Sequence, residues 1–111
     1  MNNNEKILCV CEGGNVRSVT LAYILKMNGI DALACGVTWN KSETVEMLFK
    51  WADKILIADK ANILDKIPEQ YHSKITDMEI GSDIWGQPLG PVVMQVCLNK
   101  LNEKFGTIPK T

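Results

Sequence analysis

Residues 7–18 read Ile7-Leu8-Cys9-Val10-Cys11-Glu12-Gly13-Gly14-Asn15-Val16-Arg17-Ser18. The first five are apolar, short as a run and rich in β-branched side chains. They predict a strand buried on both faces, as in a parallel sheet. Gly13 and Gly14 end that strand and permit the positive φ and close backbone approach of a tight loop. Helical spacing then begins. Leu21, Ile24 and Leu25 fall on one face, and Asn28-Gly29 is a helix stop with Gly29 as a left-handed cap.

The same alternation continues outward. Ala32 to Thr38 predicts a second strand. Asn40 with Glu43 resembles a capping box, and Val45, Leu48, Phe49 and Ala52 form the stripe of a helix ending near Trp51. Lys54 to Ala58 predicts the third strand. Asp59 can cap a short helix carrying Ile63, Leu64 and Ile67, stopped by Pro68. Lys74 to Ile80 predicts a fourth strand, and residues 81–90 a loop. Pro91 suits a first helical position, Met94, Cys97, Leu98, Leu101 and Phe105 mark a core face, and Gly106 ends the last helix. Met47, Met78 and Met94 are read as members of core stripes. Strand and helix alternate four times, so the fold class is α/β. The expected architecture is a three-layer sandwich: a four-stranded parallel sheet, helices on both faces and right-handed crossovers. At 111 residues, the whole of 1–111 reads as a single domain.

Composition narrows the function. Twelve basic and thirteen acidic residues give a net charge of −1, with no electrostatic footprint for nucleic acid. No apolar run has membrane-spanning length, and the N-terminus lacks the pattern of a signal peptide. The expectation is a cytoplasmic protein without nucleic-acid or membrane partners, a monomer or weak dimer. Cys9, Cys11, Cys35 and Cys97 have no Cys-x-x-Cys spacing, and His72 is the only histidine, so no metal site is expected. Cys9 alternates with Cys11 along the strand and is read as sharing its face. Cys35, Cys97 and Trp51 read as core residues, and His72 as a solvated surface residue.

Chemistry concentrates in the first loop. Five residues separate Cys11 from Arg17, the only arginine, and Ser18 follows. A tight loop before a helix turns its N–H groups inward and makes an anion nest. Glu12, Gly13, Gly14, Asn15 and Val16 would supply those amides, with Asn15 also bracing the turn. Arg17 offers a planar fork for two phosphate oxygens. Cys11 opens the loop, where the amides and the helix dipole favour a negative sulfur, and Ser18 can donate a hydrogen bond to it.

This Cys-x5-Arg-Ser loop after a buried first strand resembles the phosphate loop of the low-molecular-weight protein tyrosine phosphatases, in particular their short bacterial and phage-like relatives. Trp51-Ala52-Asp53-Lys54-Ile55-Leu56-Ile57-Ala58 resembles the family's approach to its third strand. Trp39 falls where the family tends to place an aromatic wall, and Ile80-Gly81-Ser82-Asp83-Ile84-Trp85 occupies the place of its acid loop. The resemblance implies metal-free, cofactor-free phosphomonoester hydrolysis through a phosphocysteine on Cys11. Arg17 would clamp phosphate and Asp83 would act as general acid, with Glu79 and Asp77 as rival acids. Trp39 and Trp85 would line the cleft of a phosphorylated protein or small aryl phosphate. The chain departs from the family pattern in four places. Asn15 stands one position late, Val19 replaces the usual proline, a second loop cysteine is absent, and Asp83 precedes Ile84 instead of proline.

Two other functions fit parts of the pattern. The chain also resembles the phosphocysteine-carrying B components of sugar phosphotransferase systems, which share its length and architecture but need neither Arg17 nor an acid loop. A phosphate-loop protein that binds a phosphorylated partner without turnover is the other.

Overall fold

The computed structural model describes residues 4–13, 16–38, 42–81 and 84–106. Four strands, β1 (Lys6–Cys11), β2 (Asp31–Gly36), β3 (Lys54–Ile57) and β4 (Ile75–Asp77), form one sheet in the order β2-β1-β3-β4. All three pairings are parallel, with Cys11 opposite Gly36, Val10 opposite Ile57, and Ile57 opposite Asp77. The expected α/β class and parallel four-stranded sheet are thus found. β1 and β3 are buried almost throughout because helices cover both faces.

The helices are α1 (Arg17–Met27), α2 (Ser42–Trp51), α3 (Lys60–Ile63) and α4 (Pro91–Phe105). α1 and α4 pack on one face, where Ile7, Cys9 and Leu56 meet Leu21, Ile24, Leu25, Val93, Cys97 and Leu101. α2, α3 and the chain that follows α3 cover the other, where Leu8, Val10, Ile55 and Ile57 meet Val45, Phe49, Ile63 and Tyr71. α1 ends as its sequence requires: Gly29 takes φ 76 and its N–H bonds to Lys26 O at 3.0 Å. Among the described residues no helix is long and apolar enough to cross a membrane.

Several local expectations need correction. The helix expected through Ile67 is one α-turn, Lys60–Ile63, followed by a 3₁₀ turn, Leu64–Lys66. Glu69–Lys74, where no helix is expected, forms a second 3₁₀ segment. Tertiary bonds hold it: Tyr71 donates to Glu46 Oε1 at 2.6 Å, and the Lys74 ammonium caps the end of α2 through the carbonyls of Phe49 and Ala52. This segment takes Lys74 out of β4, which starts at Ile75. Strand-like pairing nevertheless runs past Asp77, because Met78 N bonds to Ile57 O and Ile80 N to Ala58 O, both at 2.8 Å. Met47 is 70% exposed; it lies two residues beyond Val45, off the buried stripe of α2. His72 is half-buried, with Nε2 2.7 Å from Ile67 O, and Trp51 is half-buried under a cation–π contact from Lys6. Asn40 lies outside the described residues.

Candidate active site

In an open parallel sheet, ligands bind beyond the carboxyl ends of the strands, where the chain order reverses. Here that point lies between β1 and β3, since the chain runs from β1 outward to β2 and then crosses back to β3. The end of β1 is anchored from both sides. Val37 N bonds to Cys11 O at 3.1 Å, Thr38 N to Glu12 O at 2.9 Å, and Ala58 N to Val10 O at 2.9 Å. The loop therefore leaves the sheet from a fixed base.

Cys11 closes β1 and is buried, and its Sγ lies 3.1 Å from Ser18 Oγ. Ser18 is fully buried in the first turn of α1. Its hydroxyl can accept from the thiol and donate to the thiolate, so both sulfur states have a partner. Cys11 does not share the packing of Cys9. Cys9 lies with Ile7 in the core beneath α1 and α4, whereas Cys11 packs with Cys35, Leu8 and Val10 on the opposite side. The strict alternation of a strand stops applying where the chain turns into the loop. The other cysteines are inert by environment. Burial pushes the Cys9 thiol far up and the Cys35 and Cys97 thiols up to about 12.

Arg17 opens α1 with 0% of its surface exposed. A surface role is thereby excluded. Burying a guanidinium costs several kcal/mol unless charge and hydrogen bonds compensate it, about the scale of a protein's net stability. Compensation comes from the ends of β3 and β4. Arg17 Nη1 donates to Asp59 Oδ2 at 2.7 Å and to Gly81 O at 2.5 Å. Nε and Nη2 are buried and have no partner among the described residues. Buried donors of this kind are rare, and a missing acceptor is a recognised cause. Nε and Nη2 form one edge of the guanidinium fork, the edge that grips two oxygens of a carboxylate or phosphate.

The first turn of α1 adds to this. Val16, at its N-cap, has no side-chain oxygen to satisfy the free amides. The turn is fixed instead from its far side: Thr20 Oγ1 donates to Val16 O at 2.7 Å and accepts from Leu89 N at 3.1 Å. Among the described residues the helix start thus has no side-chain cap on its first N–H groups, and it offers the positive end of its dipole and a half-used guanidinium, a combination suited to an oxyanion.

Asp59 is the residue that local reading understates. It caps α3 as expected, with Oδ1 accepting from Asn62 N and Nδ2, each at 2.9 Å. Its second oxygen makes the ion pair with Arg17, 42 residues away in sequence. The available signal was its position directly after a central strand, at the carboxyl edge where ligands sit.

Of the other expected site residues, Glu12 is half-buried and within 3.8 Å of Lys66 Nζ, and Gly13 is half-buried. Trp85 packs against the core beneath α1 and α4, with Nε1 buried and unpartnered among the described residues. Gly14, Asn15, Trp39 and Asp83 lie outside the described residues. Of the rival acids, Glu79 is exposed and paired with Lys104, whose ammonium holds its carboxyl below the ordinary value. Asp77 Oδ1 accepts from Glu79 N at 2.9 Å.

The fold is that of the low-molecular-weight phosphotyrosine phosphatases. A low molecular weight phosphotyrosine phosphatase of Vibrio cholerae O395 superposes with a TM-score of 0.56 at 15% identity, over 87% of this chain and 90% of that one. A protein tyrosine phosphatase of Entamoeba histolytica gives 0.54 at 22% identity, covering 88% and 90%. A product-state mimic of a protein tyrosine phosphatase from the same organism gives 0.53 at 21% identity, covering 88% of each. No family model matches the sequence, and no curated protein is matched by sequence similarity.

Proposed function

We propose that the protein is a phosphomonoesterase of the low-molecular-weight tyrosine phosphatase type, acting through a phosphocysteine on Cys11. The observation that carries this reading is the buried Arg17, whose Nε and Nη2 lack partners among the described residues. A tetrahedral oxyanion would satisfy both nitrogens at once, and the amides of the loop and of α1 would hold its remaining oxygens. The shared fold supports the reading, because the solved neighbours are phosphotyrosine phosphatases.

In the proposed reaction, the Cys11 thiolate attacks phosphorus while the leaving oxygen takes a proton from Asp83. Water, deprotonated by the same carboxylate, then releases phosphate and restores the thiolate. Arg17 and the amides stabilise the charge on the equatorial oxygens in both steps. Ser18 donates to the sulfur each time it leaves as thiolate. Glu79 is a poor candidate for the acid, because its pairing with Lys104 favours the carboxylate. Phosphorylated proteins and small aryl phosphates are the proposed substrates.

The test is hydrolysis of an aryl phosphate by the wild-type protein and by Cys11→Ser. The wild type should turn over and Cys11→Ser should not. Full activity in Cys11→Ser would refute the nucleophile.

A further inference from the structure

We infer that Asp59, itself fixed by Asn62, is a positioning residue that aims the free edge of Arg17 at the bound oxyanion, and that this gain outweighs the repulsion its own charge exerts on that anion. The inference rests on the proposed oxyanion site and concerns how that site is held in register.

The bonds around Asp59 form a short chain. Asn62 donates twice to Oδ1, from its backbone N–H and from Nδ2, both at 2.9 Å. Oδ2 takes the Nη1 donor of Arg17 at 2.7 Å. The Gly81 carbonyl takes the same nitrogen at 2.5 Å. Both holders act on one corner of the guanidinium. The group is planar and rigid, so holding that corner sets the direction of the opposite edge, Nε and Nη2. Without the chain, the buried guanidinium keeps one neutral carbonyl, which cannot fix its plane.

Electrostatics alone gives the opposite expectation. Asp59 neutralises the one arginine of the site. Removing its charge would leave the guanidinium uncompensated and draw an anion in more strongly. Positioning and charge compensation therefore differ in the sign of the effect on anion affinity.

Asparagine at position 59 separates the two. It keeps the size of the carboxylate, but only one of its two ends can accept. Both ends of Asp59 now face donors, Asn62 on one side and Arg17 on the other. The amide NH₂ must confront one of them, so the chain breaks in either orientation.

The experiment measures binding of inorganic phosphate by titration calorimetry to wild type, Asp59→Asn and Asn62→Ala. Circular dichroism establishes that each variant is folded at the working temperature. Asp59→Asn should bind phosphate about tenfold more weakly, the ratio that 1.4 kcal/mol makes. Asn62→Ala keeps the charge and the backbone bond to Oδ1 and is exposed, so the fold tolerates it. It should weaken phosphate in the same direction by a smaller factor. With an aryl phosphate, both variants should raise KM as well as lower kcat. Phosphate binding unchanged or tightened in folded Asp59→Asn, or unchanged in Asn62→Ala, would overturn the inference and leave the site itself standing. A wild-type protein that binds no phosphate would overturn both.

Discussion

Replacing Arg17 by lysine keeps the buried positive charge and removes the fork. The structure lets the consequence be worked out for binding and for folding. A lysine ammonium can pair with Asp59, as Arg17 Nη1 does at 2.7 Å. It then has nothing to offer in place of Nε and Nη2, the two donors with no partner among the described residues. Hydrogen bonds to charged groups contribute about 1.5–3 kcal/mol each, so losing two costs an oxyanion roughly 3 kcal/mol at the low end. That is about a hundredfold in affinity. The fold should suffer much less, because Asp59 keeps a charged partner. Arg17→Met is the contrast, since it strands a buried carboxylate, a change of about 3–5 kcal/mol. Phosphate affinity by calorimetry and unfolding in urea, applied to wild type and both variants, separate the two effects. Arg17→Lys that binds phosphate as tightly as wild type would refute the assignment of Nε and Nη2 to the anion. Arg17→Met as stable as wild type would refute the buried ion pair.

Three further outcomes follow from the same geometry. Asp83→Asn should slow hydrolysis most for aryl phosphates with poor leaving groups, while Glu79→Gln, at an exposed carboxylate already paired with Lys104, should leave it within about twofold; steady-state rates across a leaving-group series would show this, and the reverse ranking would move the acid to Glu79. Gly81→Ala meets no atom within 4 Å, yet Gly81 sits at φ 86, so the change should cost about 1 kcal/mol from backbone strain and displace the carbonyl that holds Arg17; a stable variant with unaltered phosphate affinity would contradict that. Stability should also fall as pH rises from about 9 towards 12. The buried Cys35 and Cys97 thiols hold their protons to about 12, whereas the unfolded chain loses them first, so the native state binds more protons in that window. Urea midpoints that stay flat between pH 8 and 11 would contradict this assignment.

The layered fold was legible because strand runs and helical stripes alternate without interruption, and Gly29, Asp59 and Pro91 mark helix ends by local chemistry alone. What escaped reading depends on partners far along the chain. Glu69–Lys74 has no periodicity of its own and is held by Glu46 and the end of α2. His72 acquires a partner only because the chain folds back to Ile67 O. At the candidate site, Cys11, Arg17 and Ser18 are singled out by their spacing, and the structure brings the sulfur of Cys11 and the hydroxyl of Ser18 within 3.1 Å. The burial of Arg17 and its pairing with Asp59 and Gly81 are not, because three strand ends must first be brought to one edge of the sheet. Asp59 already had a sufficient local explanation as a cap, which concealed its second role.

The proposed reaction depends on phosphoryl transfer to the Cys11 sulfur. Rapid acid quench of the protein turning over an aryl phosphate, followed by proteolysis and mass spectrometry, tests it directly. One phosphoryl group is expected on the peptide containing Cys11, absent from Cys11→Ser and accumulating in Asp83→Asn with a good leaving group. Turnover with an unmodified Cys11 peptide at every quench time, or a phosphoryl group on another residue, would contradict it.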